Sequence, residues 1–123
     1  MFELKIITQF AAAHRLRNFQ GKCEQLHGHN WKVEVFVRAA QLDSAGLVRD
    51  FGEIKAITHE VLNELDHHYL NELSPFKEEN PSSEHIARYL FHELGSRLND
   101  DRARVNKISV WESDSACATY WGG

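Results

Sequence analysis

The chain has 123 residues, 42% hydrophobic and 26% charged, and its 14 Lys and Arg against 18 Asp and Glu leave a formal net charge of −4. That length suits a single domain spanning 1–123. No basic stripe is present to grip phosphates, which argues against a nucleic-acid partner, and no apolar run approaches the roughly 18 residues that would cross a membrane.

Residues 2–14 alternate: Phe2, Leu4, Ile6, Thr8, Phe10, Ala12 and His14 share one face, with Glu3, Lys5 and Gln9 on the other. This predicts a strand that ends with a histidine on its apolar side. The segment from Leu16 to Glu24 is polar, contains Gly21 and reads as a loop. Residues 29–38 alternate again, with His29, Trp31, Val33, Val35 and Val37 on one face; His27 joins them if the strand extends back. Asp43-Ser44-Ala45-Gly46 is turn chemistry, and Asp50 followed by Glu53 resembles a capping box for a helix starting near Phe51. Phe51, Ile54, Thr58, Val61, Leu62 and Leu65 mark its apolar face, and it is expected to end near Asp66-His67-His68. A loop from Ser74-Pro75 to Asn80-Pro81 leads to a second helix, capped by Asn80 or Ser82, with Ala87, Leu90, Phe91, Leu94 and Leu98 as its stripe. After the turn at Asn99-Asp100-Asp101, two short strands are expected near 104–113 and 116–121, the first with Ile108, Val110 and Glu112 on one face. The order ββααββ predicts an α+β fold, an antiparallel sheet with both helices on one face. Met1-Phe2-Glu3-Leu4-Lys5 has neither the basic start nor the apolar core of a secretion signal. A cytoplasmic location is therefore expected, with Cys23 and Cys117 as free thiols.

The chemistry concentrates in Cys23-Glu24-Gln25-Leu26-His27-Gly28-His29. Two His separated by one residue point to the same side of a strand, where they can share an ion. A His-x-His in a polar loop running into a strand can also arise by chance. His14 on the apolar face of the neighbouring strand strengthens the metal reading, because three buried imidazoles without a partner would be costly. Three neutral imidazoles with an open fourth position suit catalytic Zn²⁺, although Fe, Co or Ni could occupy the same ring. Cys23 has three readings: a fourth ligand closing a structural site, a base or nucleophile standing off the ion, or an inert buried thiol. Asp66 beside His67 can fix an imidazole for proton transfer, or can simply complement the end of a helix. Glu112 is a carboxylate on an inward face that calls for a ligand or cation, unless an edge position leaves it in water. His59, His85 and His92 are expected at the surface of the helices.

Taken together, His14, Cys23-x-x-x-His27-Gly28-His29, Gly46-Leu47-Val48-Arg49-Asp50-Phe51, Leu65-Asp66-His67-His68-Tyr69-Leu70-Asn71, Asn80-Pro81-Ser82-Ser83-Glu84 and Val110-Trp111-Glu112 make a chain that resembles the 6-pyruvoyl-tetrahydropterin synthase family. It most resembles the 6-carboxy-tetrahydropterin synthase branch, with the short spacing from Cys23 to His27 typical of that branch; Glu24 departs from the glycine often found after this Cys. The resemblance implies the tunnelling fold, with sheets joined edge to edge into a homo-oligomer, commonly a hexamer of two stacked trimers. It implies 7,8-dihydroneopterin triphosphate as substrate and Zn²⁺ on His14, His27 and His29. By the same resemblance Cys23 is the base, Asp66 and His67 form a relay, and Glu112 anchors the pterin ring. The implied products are 6-carboxytetrahydropterin, acetaldehyde and triphosphate, on the route to queuosine. The alternatives are the pyruvoyl-forming reaction and, in a different class, a non-catalytic zinc-stabilised binding module.

Overall fold

The computed structural model describes residues 1–18 and 25–122. Four strands form one antiparallel sheet in the order β1-β2-β3-β4, where β1 is Phe2–His14, β2 His27–Ala39, β3 Ala103–Ser113 and β4 Ala116–Trp121. The two helices, α1 (Phe51–Leu62) and α2 (Ser83–Leu98), enter between β2 and β3. This is the α+β arrangement that the order of elements predicts.

Period-2 patterning decides which face the helices cover. Ile6, Phe10, Ala12, Trp31, Val33, Val35, Val37, Ile108 and Val110 are buried and share one cluster with Ile54, Val61, Leu65, Leu90, Leu94 and Leu98 of the helical layer. Fully burying one such aliphatic side chain is worth about 1.5–3 kcal/mol, so this layer supplies most of the drive to fold. Phe51, expected on the apolar face of α1, stays half exposed.

The ends of the helices depart from expectation in two instructive ways. Asp50 does cap α1, its side chain accepting from the Gly52 N–H, but Glu53 pairs with Arg49 at 2.6 Å instead of completing a capping box. Helix α1 also stops at Leu62, short of Asp66. The Asp66 side chain leaves the helical path to accept from the Ala11 N–H at 2.8 Å, and His67 takes a left-handed φ of 60° that a helix cannot continue through. Tertiary pairing with β1 outweighs the helical pattern. At α2, Ser82 is the cap, accepting from His85 N–H at 3.1 Å.

On the sheet face away from the helices, the buried Glu34 accepts from Trp111 Nε1 at 2.5 Å and pairs with Lys5 at 3.3 Å. Burial pushes its pKa up, but the Trp111 bond and Lys5 outweigh this and the carboxyl ends below its ordinary value. A group with a depressed folded pKa stabilises the fold above its unfolded-state pKa, and that contribution is lost as pH falls through the folded value. Glu34→Gln is therefore expected to cost about 1–3 kcal/mol at neutral pH. In urea melts the difference from wild type should close as pH drops below about 4; an equal gap at both pH values would contradict the assignment.

Among the described residues, no helix is long and apolar enough to cross a membrane.

Candidate metal centre

Strand register builds the centre. His14, the last residue of β1, stands directly opposite His27, the first of β2, and His29 lies opposite Ala12. Residues paired across antiparallel strands project to the same side, so three imidazoles converge at one end of the sheet. Trp31, fully buried, is their floor: its ring meets His14 edge-on at 4.9 Å and His29 at 5.0 Å, while its Nε1 donates to the Ala12 carbonyl at 3.2 Å.

Backbone carbonyls set the tautomers. His14 Nδ1 lies 2.8 Å from Pro81 O, and His27 Nδ1 lies 2.9 Å from Gln25 O. A carbonyl only accepts, so each Nδ1 carries the proton and each Nε2 is left with a lone pair. Those two Nε2 atoms face one another at 3.0 Å. A hydrogen bond between them would need one ring to be cationic, yet burial, the largest influence, pushes the His14 pKa down despite the Pro81 bond. Two opposed lone pairs at that distance call for a cation. His29 adds a further observation, since its Nε2 is buried with no hydrogen-bond partner.

Glu112 completes the group. It projects from a β-bulge between Trp111 and Ser113, and its Oε1 lies 3.1 Å from His29 Nε2 and 3.4 Å from His14 Nε2. The 3.1 Å approach is an ion-pair distance without hydrogen-bonding geometry, which fits two donors aimed at a common centre. One ligand atom each from His14, His27, His29 and Glu112 lies within 4.8 Å of the others. Three imidazole nitrogens and a carboxylate oxygen fit a divalent transition ion. The sequence reading left the fourth vertex open, whereas here a carboxylate borders it.

Asp66 and His67 lie outside this group. Residues 66–69 dock on the free edge of β1: His67 N–H donates to Ala11 O at 2.6 Å, Ala13 N–H to His68 O at 3.1 Å, and Ala13 bridges Tyr69 in parallel. The exposed His67 ring holds Asp66 Oδ2 at 2.9 Å through Nδ1. The Ala11 N–H, against an opposing push from desolvation, and then the His67 ring hold the Asp66 carboxyl below the usual range. His67 and His29 line one open groove of about 540 Å³ floored by Ala11, Ala13 and Gly28. A separate recess of about 550 Å³ has Leu16, His27, His29 and Glu112 on its walls. His29 thus borders both the groove of His67 and the recess of Glu112.

Cys23 and Glu24 lie outside the described residues, and Cys117 is an exposed free thiol on β4. His59 and His92 are exposed, while His85 is half buried, its Nδ1 2.6 Å from Asn80 O. Sequence reasoning missed the Pro81 carbonyl as a partner of His14. In the sequence the Asn80-Pro81 pair reads as a loop end, a helix start and part of the family resemblance, with no sign of that bond.

The family model for 6-pyruvoyl tetrahydropterin synthase matches residues 3–123. The chain belongs to the 6-pyruvoyl tetrahydropterin synthase family. Within that family it is 41% identical over 120 residues to a Synechocystis protein named 6-carboxy-5,6,7,8-tetrahydropterin synthase, covering 91% of this chain and 87% of that one. It is 32% identical over 107 residues to a Pyrococcus furiosus protein named dihydroneopterin monophosphate aldolase, covering 87% and 86%. The solved structure of Caenorhabditis elegans 6-pyruvoyl tetrahydropterin synthase superposes with a TM-score of 0.86 at 25% identity, covering 99% of this chain and 96% of that one. The tetrahydropterin synthase fold, four antiparallel strands with two helices, is the one described here.

Proposed function

We infer that the protein is a zinc-dependent lyase that converts 7,8-dihydroneopterin triphosphate and one water to 6-carboxy-5,6,7,8-tetrahydropterin, acetaldehyde and triphosphate, a cytoplasmic step in queuosine and 7-deazaguanine synthesis. The observation that carries this reading is the 3.0 Å approach of the Nε2 atoms of His14 and His27 beside His29, with each Nδ1 turned to a backbone carbonyl, in a chain of this family. Nitrogen donors with one carboxylate neighbour favour zinc. When bound, zinc supplies Lewis acidity to the hydroxyl oxygens of the substrate side chain.

The remaining roles belong to the chain's own side chains. Cys23, four positions before His27 in the sequence, takes the proton from the carbon that bears a hydroxyl, as a thiolate. Asp66, held ionised by the Ala11 N–H, accepts the Nδ1 proton of His67 as a hydrogen bond and leaves Nε2 free to pass a proton to or from substrate. Glu112, with a side chain 39% exposed, can turn from the imidazoles to the amino group and ring N–H of the pterin, for which a carboxylate is a planar two-point acceptor.

The placement of the relay also supports a homo-oligomer, proposed here as two stacked trimers. His67 and Glu112 lie on different walls flanking His29, so one copy's Asp66–His67 pair is better placed to serve a second copy's zinc. Both sheet edges, β1 and β4, are available for such joining, with residues 66–69 covering only the end of β1.

The test is to incubate the protein with 7,8-dihydroneopterin triphosphate and identify products by mass spectrometry, before and after chelation. Acetaldehyde and triphosphate should form, vanish after chelation and return with zinc. A retained diketone side chain would assign the pyruvoyl reaction, the activity in the name of the C. elegans relative. No turnover by zinc-loaded protein would overturn the reading.

A further inference from the structure

Where the chain leaves β1, side-chain amides take the place of a neighbouring strand. Arg15 N–H donates to Asn71 Oδ1 at 2.9 Å, and Arg15 O accepts from Asn71 Nδ2 at 2.9 Å. Two residues on, Arg17 N–H donates to Asn80 Oδ1 at 2.8 Å, and Arg17 O accepts from Asn80 Nδ2 at 2.8 Å. Each carboxamide reproduces the two-point pairing that a peptide of an adjacent strand would offer. The Arg17 guanidinium then folds back over the same loop, donating to the carbonyls of Phe76, Lys77 and Glu79 at 2.5, 2.8 and 2.8 Å.

The next residue after Asn80 is Pro81, buried, with its carbonyl on His14 Nδ1. Proline fixes φ, so ψ of Pro81 is the one free backbone torsion between the seat of Asn80 and that carbonyl. Asn80 O in turn receives the His85 ring at 2.6 Å, which ties the loop to the first turn of α2. A single amide side chain therefore links the end of the strand carrying His14 to the loop carrying that histidine's partner.

We propose that Asn80 is a positioning residue of the metal centre: by clamping both backbone groups of Arg17 it holds the Pro81 carbonyl on His14 Nδ1 and so keeps the His14 Nε2 lone pair aimed at His27 and His29. Partners behind metal ligands fix ring tautomer and orientation, and their loss typically costs about 10–100-fold in metal affinity. The proposal rests on the metal reading of the cluster and is independent of which reaction the protein catalyses.

The experiment reads the metal-free protein first. Nitrogen-15 spectra of labelled histidine report which ring nitrogen of His14 holds the proton, and wild type should show Nδ1 alone. In Asn80→Ala, His14 should become a mixture of tautomers, and zinc affinity measured against a chromophoric chelator should fall about 10–100-fold. Should that variant not fold, Asn80→Asp keeps the acceptor for Arg17 N–H but loses the donor to Arg17 O; it should show the same two changes at smaller size. A variant that melts earlier yet keeps the wild-type tautomer, or keeps the wild-type zinc affinity, would reduce Asn80 to a loop clamp and overturn the proposal. Failure of the turnover test would leave both readouts standing, so the two conclusions are separable.

Discussion

His27→Ala is expected to remove bound zinc from near one per chain to near zero after dialysis, and to abolish turnover with it. His27 is half buried and supplies one of two lone pairs that face each other 3.0 Å apart, so its loss opens the ring of donors at its tightest point. The drop in affinity should exceed the roughly 100-fold that follows loss of an outer partner. The same geometry predicts an asymmetry in stability. Without metal, the opposed lone pairs of His14 and His27 are a local cost, so metal-free His27→Ala should melt no lower than metal-free wild type. With zinc at a thousand times its dissociation constant, wild type alone should gain about 4 kcal/mol by mass action. Elemental analysis and paired melts with and without zinc check both halves. Stoichiometric zinc retained by the variant would contradict the ligand assignment.

Cys23→Ala should behave in the opposite way, losing about 10²–10⁴-fold in turnover, the usual worth of a positioned base, while zinc stays near one per chain. His14, His27 and His29 already bring together three imidazole donors, the number a catalytic zinc takes from protein while it keeps a fourth position open for substrate, so the centre does not need sulfur. The mutant therefore separates the proposed enzyme from the alternative of a zinc-stabilised binding module. If zinc leaves with the thiol, the thiol was a ligand and the site is a closed structural one. If zinc stays and turnover persists, another group is the base, and Asp66–His67 becomes the next candidate.

Which strands bear histidine on the buried face was legible because alternation is a property of consecutive residues. His14 on an odd-even pattern with Phe10 and Ala12, and His27 with His29 and Trp31, needed no knowledge of distant parts of the chain. The inward direction of Glu112 was legible from Ile108 and Val110 in the same way. Its distance from the imidazoles was not, since that depends on the bulge between Trp111 and Ser113. The end of α1 was misplaced for a related reason. Helical spacing runs on through Leu65, but Asp66 is drawn out of the helix by an amide in β1, 55 residues away in the chain.

The amino-acid sequence by itself determined the order of elements, the face each strand buries and the three histidines that meet, because these follow from periods of two and 3.6 residues acting locally. Only the tertiary structure decided that the Pro81 carbonyl sets the His14 tautomer, that Asn80 seats that carbonyl, and that Glu112 borders the centre while His67 lines a different groove. These are single hydrogen bonds and approaches between residues remote in the chain. They come into being when the sheet register and the loop between the helices are fixed together, and no local pattern of residues encodes them.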